Sequence, residues 1–409
     1  MNILVISQQI PYPLSCGAAL LIYNIFKKLA QRHEIYLLCF SKNPEDRQNL
    51  KFIKDIFTNI YLIESEGEKR SPFRYLKNVL SWNSGFLMKE QQPKVYQRFK
   101  EKMIEVVFTK NIDLLYCHSL YMAEFAFDIK ECKSVLNIVD SVKLELQRRI
   151  QFQSNRKLYE RLKTLIWYYR FSNFEKKMLE SFDLNITVGE KDFEVLNSLS
   201  PMANIELIPN GVDTDYFYPS HKKSLNYPML IFSGNMNFSP NVDAAMFFYH
   251  NIFPLIKKKM PDVHFFVVGR SPVNNIKKLS KDKNIVVTGF VEDMITYINK
   301  ADVVICPMRM GGGIKNKILE AMALGKAIVS TSIGVEGIDV IQGENIMIAD
   351  SPTEFAENVL KLLNDQSLRN RIANNACVLI NERYTWDKCS RRYEELYVDL
   401  LSNRQAGKN

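Results

Sequence analysis

No stretch of this sequence approaches the roughly 20 consecutive apolar residues that a membrane-spanning helix requires. Nor does it open like a secretory leader. Met1-Asn2 runs without a basic region into Ile3-Leu4-Val5-Ile6 and then Pro11-Tyr12-Pro13. The expectation is a cytoplasmic protein. Cysteine is sparse: Cys16, Cys39, Cys117, Cys132, Cys306, Cys377 and Cys389 are scattered, odd in number, and form no C-x-x-C pair. That argues against a disulfide frame and a structural zinc site, and for reduced thiols. Zinc-finger spacing, RNP-like aromatic motifs and long Lys/Arg tracts are absent, so nucleic acid is not the expected partner. No internal repeat or low-complexity segment interrupts the chain.

What is present is ordinary globular composition, 46% hydrophobic and 24% charged. A chain of 409 residues is long enough for two or three domains, at roughly 100–200 residues each. The balance of 54 Lys+Arg against 45 Asp+Glu gives +9. Such a balance serves solubility, an anionic membrane surface or phosphate-bearing substrates.

Short apolar runs predict strands near residues 2–6, 35–40, 60–63, 113–117, 134–139, 184–188 and 205–208. A second series falls near 228–233, 263–268, 284–287, 303–306, 326–330 and 346–348. Runs such as Phe265-Phe266-Val267-Val268 are apolar throughout, the pattern of parallel strands covered on both faces. Helical periods lie between them, as in Ala18 to Gln31 and Pro352 to Leu363. The fold class is therefore α/β, with two doubly wound, Rossmann-like parallel sheets. Asn210-Gly211-Val212-Asp213 and the polar stretch Pro219 to Pro228 mark the break. The expected domains are 1–215 and 216–385, with a terminal helix in 386–409 packing back on the first.

Ligands of open parallel sheets bind at the carboxyl ends of the strands. After the run 303–306 comes Pro307-Met308-Arg309-Met310-Gly311-Gly312-Gly313-Ile314-Lys315-Asn316-Lys317-Ile318-Leu319-Glu320-Ala321-Met322-Ala323-Leu324-Gly325. Three glycines bare the backbone just before a helix, whose N–H groups and dipole favour a phosphate. Arg309, Lys315 and Lys317 add positive charge. Glu320 lies inside that helix, two turns from the glycines, where a carboxylate can accept both hydroxyls of a ribose whose phosphates rest on Gly312-Gly313-Ile314. The bland alternative is a flexible loop followed by a solvated helix.

This segment resembles glycosyltransferase family 4, and more narrowly the sugar transferases of exopolysaccharide gene clusters. The matching pieces run through nearly the whole chain. They are Pro11-Tyr12-Pro13 with Gly17, Asn43-Pro44-Glu45-Asp46, Asn210-Gly211-Val212-Asp213 with Phe217 and Pro219, Gly234-Asn235-Met236, and Pro240-Asn241-Val242-Asp243-Ala244. Val268-Gly269-Arg270, Thr288-Gly289-Phe290-Val291, Val329-Ser330-Thr331 and Glu336-Gly337 continue the match. The resemblance implies a GT-B fold, two Rossmann-like domains facing a cleft. It implies acceptor binding to the first domain, nucleotide-sugar binding to the second, retention at the anomeric carbon, and neither metal nor cofactor.

Two positions depart from the family pattern. Gly312 stands where many members carry a second Glu, and Gly234-Asn235-Met236-Asn237 replaces the usual Arg and Lys. Arg309, Lys317 and Arg270 are the candidates to supply the missing charge. Gly17 follows the first strand, where the family's loop shapes the acceptor and donor-phosphate side; the alternative is a plain turn glycine. Asp140 stands where many members have a catalytic or sugar-contacting residue, but Asp and Ser are also preferred helix caps. His118 ends a strand and suits proton transfer near neutrality, or is simply packed. The base is expected near Phe290 and Val291. Asp213-Thr214-Asp215 matches the D-x-D of metal-using transferases but lies in the linker, so no metal is assigned to it.

From Lys143 to Lys177 stand ten Lys/Arg against three Asp/Glu, interleaved with Trp167, Tyr168, Tyr169 and Phe171. One expectation is contact with anionic lipid heads or a lipid-linked acceptor, at the inner face of the membrane. The other is a solvated helix with its aromatics inward. The functional expectation is a retaining, metal-independent transfer of sugar from a nucleotide-sugar to a glycan or glycolipid acceptor. Its rivals are a degenerate binding scaffold and a sugar-nucleotide epimerase.

Overall fold

A computed structural model describes residues 1–14, 17–41, 44–65, 88–152, 158–220 and 226–406. Cys16, Asn43, residues 153–157 of the basic stretch and residues 221–225 of the polar stretch lie outside the described residues. In the first half the apolar runs form β1 (Asn2–Ser7), β2 (Glu34–Ser41), β3 (Asn59–Glu64), β4 (Leu114–His118), β5 (Lys133–Val139), β6 (Leu184–Thr187) and β7 (Ile205–Leu207). In the second half they form β8 (Met229–Ser233), β9 (His264–Val268), β10 (Ile285–Gly289), β11 (Val303–Cys306), β12 (Ile328–Ser330) and β13 (Met347–Ile348). Every expected run is a strand, displaced by at most two residues at an end.

The first sheet has the order β3-β2-β1-β4-β5-β6-β7 and the second β10-β9-β8-β11-β12-β13. All neighbouring strands are parallel. Consecutive residues of the central strands are buried on both faces, from Ile3 to Ser7 in β1 and throughout β8 and β11. That burial is why these strands read as unbroken apolar runs. Strand order reverses between β1 and β4, and again between β8 and β11. These are the two topological switch points, where a doubly wound sheet opens a crevice at its carboxyl edge.

The chain forms two units, Met1–Ile208 with Cys389–Asn409, and Pro209–Lys388. The division falls at Pro209 because the following turn is bonded into the second unit. Val212 donates its N–H to the Tyr384 carbonyl at 2.7 Å and bridges Thr385. A second division falls inside the helix Trp386–Ala406. From Cys389 onward that helix belongs to the first unit, where Tyr393 and Tyr397 are buried. Asn137 of β5 donates to Tyr393 Oη at 2.6 Å, and Glu394 pairs with Arg32 and His33. Arg392 meets Glu206 at 3.1 Å.

Candidate functional site

At the switch point of the second sheet, the loops after β8 and β11 stand side by side. After β11 the chain passes through Gly311 at φ 113° and Gly313 at φ 64° before the helix Asn316–Ala323 begins. Both φ values lie where a side chain would strain the backbone. Lys315 holds the turn from below. Its buried ammonium donates to the Gly312 carbonyl at 3.0 Å and the Gly313 carbonyl at 2.6 Å. The carbonyls of the turn are thereby occupied. The N–H groups of Gly312, Gly313 and Ile314 have no partner among the described residues. A Cβ on Gly312 would meet nothing within 4 Å, so the space beside these donors is open.

Glu320 lies one helical turn beyond Lys317 and is half-buried. Among the described residues no hydrogen bond or ion pair reaches its carboxylate. Burial pushes its pKa up to about 7, opposed by the nearby Lys317 charge. A partly desolvated carboxylate without a donor is a costly feature in a stable core, and a natural one in a ligand site.

Lys317 reaches back across the switch point. Its ammonium donates to Asn241 Oδ1 at 2.7 Å and sits 4.3 Å from the centroid of the Phe232 ring. A Cβ on Gly234 would lie 3.0 Å from that ammonium. Burial lowers the Lys317 pKa to about 8, while Cys306 and Glu320 act the other way. Asn241 is fixed in turn, donating to the Asn235 carbonyl at 3.0 Å. The Lys317 ammonium thus lies beside Gly234, where the chain itself offers no cation after β8.

Arg309 is used differently from the expectation of a phosphate cation. Its guanidinium grips Asp243 through two bonds, 3.0 Å from Nε and 2.6 Å from Nη2. It also stacks 4.3 Å over the Phe247 ring. Its charge is compensated, and its role in this structure is to tie the loop after β11 to the helix Ser239–Phe247. Arg270 follows Gly269 and is half-buried; its carbonyl accepts the Met236 N–H at 2.9 Å. Phe290 stands 73% exposed beside Gly289 at the end of β10, and Val291 packs against the core.

In the first unit, Gly17 is exposed and begins the helix Gly17–Leu29 after β1. His118 ends β4 on the other side of that sheet's switch point. It is 4% exposed, with Nδ1 3.2 Å from Tyr116 Oη. Burial lowers its pKa to about 4. Proton uptake near neutrality, expected from the ordinary range of imidazole, is therefore corrected: the ring is neutral at pH 7 and suited to hydrogen bonding.

Asp140 is exposed after β5, next to Val139 at φ 66°. The residues after it and buried Glu175 bond the start of the following helix. Ser141 accepts the Leu144 N–H at 3.3 Å, and buried Glu175 accepts from Val142 at 2.9 Å and Lys143 at 3.3 Å. Asp213, in the D-x-D, closes its own turn by accepting from the N–H groups of Asp215 and Tyr216.

Two cavities lie away from the switch points. One of 310 Å³ opens at the amino ends of β5 and β6, where Lys133 and Asp183 pair at 2.6 Å. The other, of 250 Å³, lies beside Tyr249 and Phe253, where Lys257 pairs with Asp282 at 2.8 Å. In both, these charged side chains already satisfy each other. The crevice around Gly312 and Glu320 carries the unsatisfied groups and is the stronger candidate. Asn241 and Asp243 were not identifiable as partners of Lys317 and Arg309 from sequence, because the contacts span 76 and 66 residues.

Residues 16–216 match the family model for Glycosyltransferase Family 4, and residues 227–365 match that for Glycosyl transferases group 1. An uncharacterized 44.6 kDa protein of the cps region of Klebsiella pneumoniae is 23% identical over 94% of this chain and 96% of its own length. The capsular polysaccharide biosynthesis glycosyltransferase CapM of Staphylococcus aureus is 26% identical over 38% of this chain and 42% of its own. Among solved structures, sucrose-phosphate synthase from Thermosynechococcus elongatus superposes with a TM-score of 0.76 at 14% identity, covering 98% of this chain and 99% of that one. HepE from Anabaena, solved in complex with UDP, has a TM-score of 0.69 at 15% identity, covering 98% and 100%. These likenesses are to two-domain proteins of the GT-B fold.

Proposed function

This chain is a glycosyltransferase of the family 4 group, and on that footing we propose that it transfers a sugar from a nucleoside-diphosphate sugar, with retention and without metal, to a glycan or lipid-linked glycan. The product serves polysaccharide or cell-surface glycan assembly, as the relatives in capsular regions suggest. The observation that carries the donor assignment is a Glu320 carboxylate two turns beyond the N–H groups of Gly312, Gly313 and Ile314, all without partners among the described residues. The ribose hydroxyls donate to Glu320. The diphosphate accepts from Gly312, Gly313 and Ile314, with Lys317 as its cation. Exposed Phe290 offers a face for the base.

In the transfer, an acceptor hydroxyl oxygen bonds to the anomeric carbon as the anomeric carbon–phosphate oxygen bond breaks. The hydroxyl proton passes to the departing phosphate oxygen, on the same face, which retains configuration. The developing negative charge of the leaving diphosphate is stabilised by Lys317 and the oriented N–H groups. Those donors fill the part that a divalent cation plays in metal-using enzymes. In the first unit His118 acts as a neutral hydrogen-bonding group. Asp140, at the carboxyl end of β5, orients the acceptor.

The test is calorimetric binding of UDP-, GDP- and ADP-linked sugars to the full chain in the presence of EDTA. Binding of one donor at micromolar affinity, weakened in Glu320→Ala with its melting curve unchanged, supports the assignment. Unaltered affinity in that variant overturns it. One observation favours a second reading, a binding protein without turnover: Gly312 replaces the family's other Glu while Arg309 is engaged by Asp243. Detectable transfer to any acceptor eliminates that reading. Isomerisation of the donor alone would mark an epimerase.

A further inference from the structure

Three strands of the second sheet end at a glycine of positive φ: Gly234 after β8, Gly269 after β9 and Gly289 in β10. In the first sheet β5 ends the same way with a valine. Val139 has φ 66°, and the Asp140 N–H donates to the Ile138 carbonyl at 2.9 Å. That is a γ-turn of the positive-φ kind, which is rare and strained. A β-branched residue in this region is an outlier, because its Cβ crowds the backbone. The pairing of β5 with β6 also slips here. Asn137 faces Ile186 and Val139 faces Thr187, so Ile138 is an extra residue. Such bulges end the pairing and re-aim a side chain.

Strain of this kind persists only where the surroundings over-determine it. Here four buried polar side chains do so. Asn137, wholly buried in β5, accepts the Val139 N–H at 3.1 Å and donates to Tyr393 Oη at 2.6 Å. Its carbonyl accepts at 2.8 Å from Ser119, the residue after His118, which itself has φ 79°. Thr187, wholly buried in β6, donates from Oγ1 to the Val139 carbonyl at 3.1 Å, beside the Val188 N–H at 3.3 Å. On the far side of Asp140, buried Asp192 accepts the Ser141 N–H at 2.7 Å, and Glu175 accepts from Val142 and Lys143. The bonds to Ser141, Val142 and Lys143 serve the start of the helix Val142–Phe152. Those of Asn137 and Thr187 lie upstream of it and serve the turn. Across residues 137–143, held in this way, Asp140 is the one exposed residue.

We propose that the strained turn at Val139 is a positioning device for the acceptor, which rests on the role proposed above for Asp140. Asn137 and Thr187 are its positioning residues. They hold the turn closed and so fix where the Asp140 carboxylate can reach at the carboxyl end of β5. Glycine would make this turn without strain and would leave it free to take other shapes. With valine, which is stiff at χ1, the shape depends on the anchors. Asn137 also ties the exit of β4 to that of β5, so His118 and Asp140 are held in fixed relation.

Two measurements on the full chain test this. In urea denaturation Val139→Gly is expected to unfold at a higher midpoint than Val139→Ala, because alanine keeps the Cβ that the turn strains. At an ordinary strand position glycine is the weaker of the two. A lower midpoint for the glycine variant overturns the strained turn, whatever reaction the chain performs. The second measurement is transfer to a panel of octyl glycosides from whichever UDP-, GDP- or ADP-linked sugar binds. Thr187→Val removes the hydroxyl and leaves the Val139 carbonyl its bond from Val188. It is expected to lower kcat for transfer about tenfold or more, with calorimetric affinity for the donor sugar unchanged. Thr187→Ser keeps the hydroxyl and should recover most of the rate. A packing role alone would give the opposite order, since valine fills the buried site better than serine. Wild-type kcat in folded Thr187→Val, or a greater loss in Thr187→Ser, overturns the positioning role. If Thr187→Val does not fold, the Val139 pair and Thr187→Ser decide. A wild type that binds a donor but transfers to none of the octyl glycosides overturns the proposed transfer itself, and the positioning with it.

Discussion

Gly269 lies directly against Gly234: a Cβ on Gly269 would sit 1.8 Å from the Gly234 carbonyl oxygen. The two glycines end adjacent parallel strands, β9 and β8, with φ of 148° and 152°. Gly234 donates its N–H to Val268 at 3.0 Å, and Gly269 donates to Gly289 at 3.2 Å. The floor of the crevice is thus bare backbone in contact with bare backbone.

Gly269→Ala is therefore expected to destabilise the second unit by about 3–5 kcal/mol, because backbone itself must move. Gly289→Ala is the matched control. Its Cβ meets nothing within 4 Å, and only the φ of 71° opposes it. That substitution should cost about 1–2 kcal/mol. Urea denaturation of the two variants reads the difference, and equal losses would refute the close-contact account.

Glu320 links stability to pH. Its folded pKa of about 7 lies above the ordinary 4.5, so the folded state holds the proton more tightly than the unfolded chain. The resulting stabilisation is complete below 4.5 and is lost as pH rises through 7. Glu320→Gln should accordingly be more stable than wild type above neutrality, by about 1–3 kcal/mol, with the gap closing in acid. Thermal melts across pH test this. A stability gap that does not change with pH would contradict it.

Lys317 and Arg309 should separate in binding assays. Lys317→Ala is expected to weaken nucleoside-diphosphate binding by about 10–100-fold, the worth of a charge-assisted hydrogen bond. Arg309→Ala should weaken it by less than about threefold, since an exposed pair such as Arg309–Asp243 holds loop geometry at modest energy. The lowered Lys317 pKa of about 8 and the raised Glu320 pKa of about 7 also shape the pH profile. Affinity should be greatest between those values, where the carboxylate is ionised and the ammonium still protonated. Calorimetry showing the reverse order of the two alanine variants would move the phosphate site to Arg309.

The terminal helix offers a pair of tyrosines with opposite forecasts. Tyr393 Oη accepts from the buried Asn137 amide at 2.6 Å, so Tyr393→Phe leaves an interior donor unpaired. A loss of about 1–3 kcal/mol is expected. Tyr397 Oη is buried with no partner among the described residues. Tyr397→Phe should be neutral or stabilise by about 1 kcal/mol. Chemical denaturation distinguishes them, and similar losses in both would indicate that Tyr397 has a partner too.

Much of the fold is legible in the sequence. Strands buried on both faces must be apolar at every position, so runs such as Leu230-Ile231-Phe232 announce themselves locally. The glycine turn and Glu320 were legible for a similar reason: backbone exposure and an acid in an apolar helix are properties of one short segment. The partners of the cations were not. Lys317 meets Asn241 and Arg309 meets Asp243 only because strand order places β8 beside β11.

The sequence by itself determined the strand positions, the two-sheet architecture and the segment proposed to hold the donor. These depend on periodicity and backbone freedom, which are local. Only the tertiary structure decided which charges are left for a ligand. Asp243 withdraws Arg309, Lys315 is spent on the carbonyls of its own turn, and Lys317 is aimed into the crevice. It also decided that His118 is neutral, that Ser141 and Glu175 cap the helix Val142–Phe152, and that Leu162 and Tyr169 face outward. Charge compensation and burial depend on what lies next to a side chain in space, and parallel crossovers bring together residues many tens of positions apart.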